Sequence, residues 1–505
     1  MTDYDVVVVG GGPVGETLLS LLGHRGISAV GFEKDSEVWP KPRAVHFDAE
    51  ILRTFQSIGL GEAVAQLCEP MVDYRMENEA GEVLFDIPTG DLSAQGWIAD
   101  TMFHQPHLDE LLRSEIQALP TVELRTGHQV EEITQDAEQV LCIVRGPDGD
   151  LQRHTARYLI GCDGARSQVR PLIGGSYERL GPDNPWLVVD GLLPGEAPVE
   201  GPMVFFGHHS RPRLWARMPG GRARMEFKVL PGDDLQEIVT PEAIERMSQG
   251  LLRPETFQIQ RSAVYTFRSK LADKWRDGRL FIAGDAAHLS PPLFGQGLCS
   301  GIRDAANLAW KLDYVLSGAE EDLLDTYQSE RSDHVRSWIV QATEMSGFVQ
   351  TTDPQVAAQR DAFIRSHPDA AVAPDPSLGP GVHGQAPAPA GRLSIQPALP
   401  DGTRFDEKIG PHFALAARAE LLTGLDPQLR ARLQSAEGIV VLTEDRPGVE
   451  DLLTSVTSTS VVLRPDRYIL GAADTADDLT ALCETALQIT QPADTPVTAP
   501  SGRGV

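Results

Sequence analysis

Cysteine is scarce in this chain of 505 residues, which has five, and none of them stands in a CxxC pair or at metal-ligand spacing. A disulfide framework or a zinc site is therefore not expected, and a reducing cytoplasm suits the composition best. Basic residues are outnumbered, 44 to 72, for a formal net charge of -28. Without a basic patch, neither a nucleic-acid nor an anionic-membrane partner is expected. No apolar run approaches the ~18 residues of a membrane span, which predicts a soluble, unexported protein.

The amino-terminal stretch DVVVVGGGPVG predicts a buried strand that enters the turn Gly10-x-Gly12-x-x-Gly15. A helix over residues 16–24 and a second strand over 28–32 complete a βαβ unit. The glycines permit the tight turn, the approach of a pyrophosphate to the helix N-terminus, and close packing of helix on strand.

Glu33 follows the second strand, 18 residues after Gly15. The acid that binds a ribose hydroxyl is expected about 20 residues after the last glycine. This spacing, with the strand and the helix, predicts an adenine dinucleotide site. Glu16 would lie close to a bound pyrophosphate, so its side chain is expected to point to solvent.

Two later strands also end in a glycine and an acid. Residues 156–160 lead into GCDGARS, which contains Asp163, and residues 280–283 lead into Gly284 and Asp285. Ligands of open α/β sheets bind outside the carboxyl ends of the strands. Asp285 is suited to the hydroxyls of a sugar or ribityl chain, because a carboxylate only accepts hydrogen bonds. The alternative for a Gly-Asp pair taken alone is a tight structural turn.

A loop rich in proline and glycine follows Asp285 and leads into a helix that is predicted to begin near residues 297–300. The free N–H groups and positive dipole of that helix suit an anion or an electron-rich ring oxygen. A polyol on one side and developing negative charge on the other describe a flavin.

Three polar residues between these motifs have two interpretations each. Arg43 is either a surface residue or a ligand of a phosphate or the flavin edge. Gln105, at the entrance of a helix over 108–118, either caps that helix or bonds the flavin. His46 is structural or catalytic, and a lone histidine is more often structural.

The rest of the chain suggests three further segments. Strand-like stretches over about 171–267 indicate an antiparallel sheet that forms a wall of a substrate pocket. Residues 368–400 carry eight prolines and are typical of a linker. The tail, about 393–487, has its own α/β pattern, and its single cysteine disfavours a redox role, leaving packing or a homodimer contact.

The three strand-end sites, in this order, resemble those of the class A FAD-dependent aromatic hydroxylases, and the resemblance covers essentially the full length. The stretches PRAVHFDAEILRTFQSIGL, PWLVVD, GIRDAANLAWKL and VVLRPDRYILG are similar to the branch of 3-(3-hydroxyphenyl)propionate and polyketide hydroxylases. The resemblance implies an α/β fold with a Rossmann-like FAD-binding domain, an inserted antiparallel-sheet substrate domain, and a thioredoxin-like C-terminal domain without CxxC. The expected bounds are 1–170 for the first part of the FAD domain with some substrate-side strands, 171–268 for the substrate sheet, 269–367 for the rest of the FAD domain with long helices, 368–400 for the linker and 401–490 for the C-terminal domain.

Positions matched to the family's motifs supply the expected site. Asp163 would belong to a motif that handles both FAD and the nicotinamide, and residues 292–297 would lie beside the reactive ring. Three residues are catalytic candidates, namely His46, His288 and Pro292. The expected cofactor-binding set is Gly10, Gly12, Pro13, Val14, Gly15, Glu33, Lys34, Arg43, Gln105, Asp163, Gly164, Gly284, Asp285, Pro292, Gly295, Gly297 and Leu298.

The implied activity is that of a monooxygenase on a small phenolic compound. NADH or NADPH would reduce FAD, O₂ would add to give a flavin C4a-hydroperoxide, and one oxygen would pass to the aromatic ring. Leu293-Phe294 and Leu298-Cys299 differ from the expected phenylpropionate pattern and keep a quinolone or polyketide-type substrate open. A halogenase or reductase on the same fold and a non-enzymatic flavoprotein are further alternatives, although the Trp-x-Trp-x-x-Pro halogenase signature is absent.

Overall fold

The computed structural model describes residues 2–367 and 376–491. The first part of the predicted linker, 368–375, lies outside these residues. Residues 376–400 form turns and extended chain without a helix or strand. Over the described chain there are two compact units, one of residues 2–306, 332–367 and 376, the other of 307–331 and 377–491.

The first unit is built on an eight-stranded sheet whose central strands are parallel. Its first strand contains four valines that are 0–4% exposed, which is the burial expected of a strand covered on both faces. The strands of the main path, in spatial order, are Arg276–Asp277, Leu280–Ile282, Leu151–Gly161, Tyr4–Val9, Ala29–Glu33 and Val122–Thr126, and the antiparallel strands Val140–Arg145 and Gln129–Gln135 extend from Leu151–Gly161.

A second sheet in this unit has seven strands and is antiparallel except for one pair. Two of its strands, Asp73–Glu77 and Val83–Pro88, come from before residue 171. The other five, in spatial order, are Gln258–Phe267, Asn184–Leu192, Arg222–Lys228, Arg213–Met218 and Met203–Phe206, the last of which pairs with Asp73–Glu77. One face packs on a core that includes Leu187, Trp215 and Phe227.

Two three-stranded sheets and the helices complete the unit. The small sheets consist of Tyr177–Arg179, Lys270–Ala272 and His288–Leu289, and of His46–Asp48, Asp100–Phe103 and Cys68–Pro70. The α-helices that begin in this unit are Pro13–His24, Ala49–Gln56, Gly61–Gln66, Gln105–Ala118, Val169–Leu172, Pro241–Met247, Gln296–Leu316 and Pro354–Ser366, with 3-10 turns at Gly284–Ala286 and Pro292–Phe294. Each helix of the described chain is too short or too polar to pass through a lipid bilayer.

The second unit has a four-stranded sheet in the order Ile439–Thr443, Phe413–Ala417, Ser460–Leu463, Ile469–Ala472. The last helix of this unit runs over Ala476–Thr490. The remaining helices are Phe405–Ile409, Ala419–Gly424, Pro427–Ser435 and Val449–Val456, with a 3-10 turn at Glu321–Asp325 and a long helix, Thr326–Val349, that begins here. The thioredoxin-like assignment of this unit stays a prediction.

A buried ion cluster lies inside the second unit. Glu330 accepts hydrogen bonds from Lys311 at 2.7 Å, from Arg464 at 2.9 Å and from the Asn307 amide at 2.8 Å. Arg464 also bonds Asp466 at 2.6 Å. Burial opposes ionisation, but the two cations hold the pKa of Glu330 well below its usual value. The sequence does not predict this cluster, because Glu330 and Arg464 are 134 positions apart in the chain.

Candidate active site

The strand-end motifs converge at one edge of the parallel sheet. Val9 is level with Gly161 in one neighbouring strand and with Phe32 in the other, and Gly161 is level with Ile282. The turns that follow these residues therefore share an edge. Val14 joins two of them, because a Cβ atom placed on Gly284 would lie 3.1 Å from its side chain.

The glycine-rich turn depends on close backbone approach. A Cβ atom on Gly15 would lie 2.0 Å from the carbonyl oxygen of Gly10, and one on Gly10 would lie 2.5 Å from the carbonyl oxygen of Cys162. Gly10 also has a φ of +105°, which L side chains rarely adopt. At Gly12, in contrast, an added Cβ atom meets no atom of the described chain within 4 Å. The turn is thus closely packed at Gly10 and Gly15 and uncrowded at Gly12.

The helix that follows the turn begins at Pro13, three residues before the expected start. Proline is suited to the first helical position because its missing N–H has no partner there in any helix. Gly12 is the N-cap and provides no side-chain cap. The free N–H groups and the helix dipole therefore face open space, which suits the phosphates of a dinucleotide.

Glu33 holds the turn in place. Its Oε2 accepts the N–H of Gly11 at 2.7 Å, and its Oε1 accepts the N–H of Asp35 at 2.9 Å. Each carboxylate oxygen keeps a second lone pair. Glu33 can thus support the turn and still accept a ribose hydroxyl.

The expectation that Glu16 points to solvent is wrong. Its side chain is fully buried and pairs with Arg113 at 2.7 Å, and Arg113 also donates to the carbonyl of Gly11 at 3.2 Å. Burial, and then the nearby Asp109 carboxylate, raises the pKa of Glu16. The partner that accommodates this acid is contributed by the helix Gln105–Ala118, 97 positions away, so the local pattern could not reveal it.

Gln105 is buried and positions the loop that carries Arg43. Its amide oxygen accepts the N–H groups of Arg43 and Ala44 at 3.0 and 3.1 Å. Arg224 donates to the carbonyls of Pro42 and Arg43 from the second sheet, at 2.5 and 2.9 Å. Hydrogen bonds with Gln105 and Arg224 therefore hold the backbone of this loop, hereafter the clamped loop. The Arg43 guanidinium remains exposed.

Asp163 caps the short helix after its strand. Its Oδ2 accepts the N–H groups of Gln168 and Val169 at 2.7 and 3.2 Å. Its Oδ1 is enclosed and has no hydrogen-bond partner within the described chain. An enclosed acceptor at the edge where the motifs converge is suited to a ligand hydroxyl.

The Asp285 side chain is exposed to solvent. The protein atoms around its carboxyl partly desolvate the group, which raises its pKa. Its backbone is held by the Tyr177 hydroxyl, which donates to the Asp285 carbonyl at 2.6 Å. Arg170 in turn donates to Tyr177 and to the Ala286 carbonyl, both at 2.9 Å. A solvent-accessible carboxylate is thus presented from a fixed turn.

His288 and Asp304 support the same turn from within the protein. The Asp304 carboxylate accepts the N–H of Gly284 at 3.0 Å and lies 2.7 Å from the imidazole Nε2 of His288. Both side chains are fully buried. This geometry supports a positioning role for His288, and its catalytic role stays a prediction.

The loop that was expected beside the reactive ring meets His46. A Cβ atom on Gly295 would lie 2.4 Å from the imidazole Nδ1 of His46, whose Nε2 lies 2.7 Å from Asp100. Pro292 begins a 3-10 turn, and the helix starts at Gln296, close to the expected position.

Three polar side chains anchor the start of this helix. Arg303 donates to Asp48 and to the Gln296 amide at 2.5 and 2.6 Å, and Gln296 donates to Asp48 at 3.0 Å. Burial opposes ionisation of Asp48, but Arg303 and Gln296 bring its pKa below the usual value. An added Cβ atom on Gly297 would meet no atom of residues 2–367 and 376–491 within 4 Å, so the anchored helix start also has open space before it.

The face of the seven-stranded sheet opposite its main core is partly charged and partly apolar. Arg224 bonds Asp190 at 2.7 Å, and Arg261 lies 3.4 Å from the same carboxylate. Glu226 lies on this face, 4% exposed. The sequence marked the sheet as a pocket wall, but it did not identify these charges, because strand alternation does not show which face is covered.

Half-buried apolar side chains lie next to the charged group. They pack with Trp186, Phe205 and Met102 and form an apolar wall suited to an aromatic ring. Its members are Val45, Tyr74, Met203, Leu214 and Leu293.

The open helix start at Gly12, the enclosed oxygen of Asp163 and the accessible carboxylate of Asp285 fit the phosphates and hydroxyls of FAD. With the doubly wound sheet they define a dinucleotide-binding flavoprotein fold. Residues 3–342 match the family described as FAD binding domain. The chain belongs to this family and, by its full-length relatives, to the FAD-dependent aromatic hydroxylases.

Two relatives show how far the likeness extends. The chain is 35% identical to a probable NADH-specific resorcinol 4-hydroxylase of Rhodococcus jostii (strain RHA1), over 98% of this chain and 97% of that protein. It is 36% identical to a 3-(3-hydroxy-phenyl)propionate/3-hydroxycinnamic acid hydroxylase of Mycobacterium sp. (strain JLS), over 97% and 93%. The predicted class, an FAD-dependent aromatic monooxygenase, is confirmed.

Solved structures agree on the fold. The flavin-dependent monooxygenase PieE, in complex with FAD and substrate, matches with a TM-score of 0.83 and 20% identity over 97% of this chain and all of that chain. The p-nitrophenol 4-monooxygenase PnpA of Pseudomonas putida DLL-E4 matches with a TM-score of 0.68 and 26% identity over 73% and 94%. The predicted α/β fold with Rossmann-type and antiparallel sheets is confirmed.

Proposed function

We propose that this protein hydroxylates a neutral phenol that carries a second substituent meta to its hydroxyl, with resorcinol as the representative substrate. The observation that carries the proposal is the full-length relationship to a resorcinol hydroxylase and to a 3-(3-hydroxyphenyl)propionate hydroxylase. By their names, both act on rings with a hydroxyl and a meta substituent. The meta pattern is therefore the feature that the two substrates share.

The charges of the substrate-side face favour a neutral ring. Arg224 and Arg261 are paired with Asp190, and Lys228 donates to the Gln350 carbonyl at 2.9 Å. Glu226 adds a carboxyl on the same face. A substrate carboxylate would face cations that already have partners, together with the Glu226 carboxyl. Resorcinol is neutral, so its binding does not require burial of a charge.

The cofactor site follows from the strand-end turns. The helix start at Gly12 would hold the pyrophosphate, Glu33 the adenosine ribose, and Asp285 the ribityl hydroxyls. Arg43 would reach the cofactor from its clamped loop, and the helix start at Gln296 would face developing negative charge.

The bound FAD supplies the redox chemistry that joins NADH oxidation to O₂ activation. The net reaction converts an aromatic C–H to C–OH with one oxygen atom of O₂, releases the other as water, oxidises NADH to NAD⁺ and consumes one proton. NADH is the proposed reductant because the resorcinol 4-hydroxylase relative is named as NADH-specific. A supply of reduced nicotinamide suits a cytoplasmic location.

The test is NADH and NADPH oxidation by the FAD-loaded protein with a panel of ring compounds under isotopically labelled O₂. The panel contains resorcinol, 3-(3-hydroxyphenyl)propionate, a quinolone, a polyketide aromatic and resorcinol dimethyl ether as the matched control. We expect resorcinol to stimulate NADH oxidation and to gain one labelled oxygen, and the dimethyl ether to gain none. Oxygen incorporation only into the propionate or the larger aromatics would contradict the proposal.

A further inference from the structure

We propose that Glu226 is the catalytic base of this reaction, accepting first the hydrogen bond and then the proton of the substrate hydroxyl. The inference rests on the proposed function and adds a residue that no motif marks. Its basis is the position of this carboxyl on the sheet, the absence of a hydrogen-bond donor to it among the residues that the structure describes, and the apolar wall beside it.

Sheet register fixes the direction of the side chain. Glu226 is level with Val188 in one neighbouring strand and with Leu214 in the other, so the three side chains share a face. Leu214 packs in a cluster that includes Trp186 and Leu293. Leu293 follows Pro292 directly, and the carboxyl is therefore on the face that the candidate reactive loop covers.

The flanking residues place Glu226 between two parts of the site. Arg224, two positions before it on the same face, reaches the carbonyls of the loop at residues 42–43. Lys228, two positions after it, reaches the Gln350 carbonyl. The carboxyl lies between the clamped loop that carries Arg43 and the end of the helix Thr326–Val349.

Glu226 is buried without a hydrogen-bond donor in the described chain. The nearest cation is Arg224, at 3.8 Å, and its guanidinium donates instead to Asp190 and to two carbonyls. A buried carboxylate without a donor costs free energy, and such groups are commonly completed by a ligand. A phenol hydroxyl is a donor of the right kind.

Burial, more than the surrounding charges, makes this carboxyl a proton acceptor near neutral pH. Burial is the main cause that raises its pKa to about 7, with Arg224 acting against it and Asp190 adding to it. A base is most effective when its pKa lies near the working pH. The charged and titratable side chains that face it from the surrounding elements are Asp190, Arg224, Lys228, Arg261, Arg43, Tyr74 and Tyr265.

The proposed step transfers one proton from the substrate hydroxyl to Glu226. The O–H bond of the substrate breaks, its electron pair stays on the phenolic oxygen, and the proton forms a new O–H bond with a Glu226 oxygen. The ring of the phenolate is more electron-rich than that of the neutral phenol, and it is therefore the better nucleophile toward electrophilic oxygen. Glu226 returns the proton to water after product release.

The test compares wild type, Glu226→Gln and Glu226→Asp as FAD-loaded proteins. In wild type, kcat/KM for resorcinol should rise with pH to a plateau, with a midpoint near 7. Glu226→Gln should lose this rise and about 100-fold in kcat/KM at the plateau, and Glu226→Asp should restore the rise at a lower value. Asp190→Asn is the matched control, since it removes a neighbouring buried carboxylate already bonded to Arg224, and it should keep the rise.

A binding measurement provides a second readout besides turnover. Wild type should bind resorcinol more tightly than resorcinol dimethyl ether, and Glu226→Gln should lose part of this preference. FAD content and thermal unfolding show whether each variant is folded. A Glu226→Gln protein that keeps both the pH rise and the phenol preference would overturn the proposal, whereas a wild type that hydroxylates no phenol would overturn the proposed function instead.

Discussion

The His288 imidazole lies 2.7 Å from the Asp304 carboxylate, and both side chains are fully buried beneath the turn that presents Asp285. Asp304 also accepts the N–H of Gly284. The pair thus connects the interior of the protein to the turn that exposes Asp285.

We expect His288→Leu to lose about 1–3 kcal/mol of stability, because Asp304 keeps its burial and loses a donor. His288→Gln should restore most of it, since the glutamine amide reaches the place of Nε2. Denaturant unfolding and FAD content measure both variants. A stable, FAD-loaded His288→Gln protein without turnover would show a catalytic role instead.

A matched pair of glycine variants separates folding from cofactor binding. Gly15→Ala should destabilise the protein even without FAD, because its Cβ atom would lie 2.0 Å from the Gly10 carbonyl oxygen. Gly12→Ala has open space around the new methyl group, so stability without FAD should be unchanged while FAD affinity falls. Thermal unfolding and FAD titration measure the two effects, and equal FAD affinity in Gly12→Ala and wild type would place the pyrophosphate elsewhere.

The buried Asp109 carboxyl is expected to lower the free energy of unfolding as the pH rises. Burial raises its pKa from 3.8 to about 7, against the Gln105 hydrogen bond and the Arg113 charge. A carboxyl with a raised pKa binds its proton more tightly in the folded state, so its contribution is complete below pH 4 and is lost as pH rises through 7. Asp109→Asn should remove that loss and gain about 1–4 kcal/mol at pH 8, at ~1.36 kcal/mol per pKa unit.

Urea unfolding at pH 5 and pH 8 measures this effect. Asp136→Asn is a control of opposite sign, since the N–H groups of Glu138 and Gln139 lower the pKa of Asp136, and this variant should lose stability at pH 8. An Asp109→Asn protein that is less stable than wild type at pH 8 would mean that the carboxylate is paired when ionised.

In the ion cluster of the second unit, we expect the loss of one carboxylate charge to lower the stability of the protein strongly. Glu330→Gln leaves Lys311 and Arg464 buried with less compensating charge and should cost about 3–5 kcal/mol. Glu484→Gln breaks the exposed pair with Arg432 in the same unit and should cost at most about 1 kcal/mol. Denaturant unfolding of both variants makes the comparison, and a similar small loss in the two would show that the cluster is not electrostatically coupled.

The sequence alone determined the features that depend on neighbouring residues. The turn at Gly10, Gly12 and Gly15, the strand that ends at Glu33 and the acid at Asp285 are local patterns of glycine, apolar residues and charge. Such patterns specify a strand end or a helix start within one stretch of chain, and they were sufficient for the fold class and the cofactor.

Only the tertiary structure decided which polar groups are paired. Glu16 was misjudged because its partner, Arg113, comes from another helix, and the roles of Asp304 and Glu226 depend on which face the fold covers. Hydrogen bonding and desolvation depend on distances between remote segments, and one residue's neighbours in sequence do not contain that information. The sequence therefore identified a flavoprotein hydroxylase, and the folded sheet placed a buried carboxyl beside the candidate substrate wall.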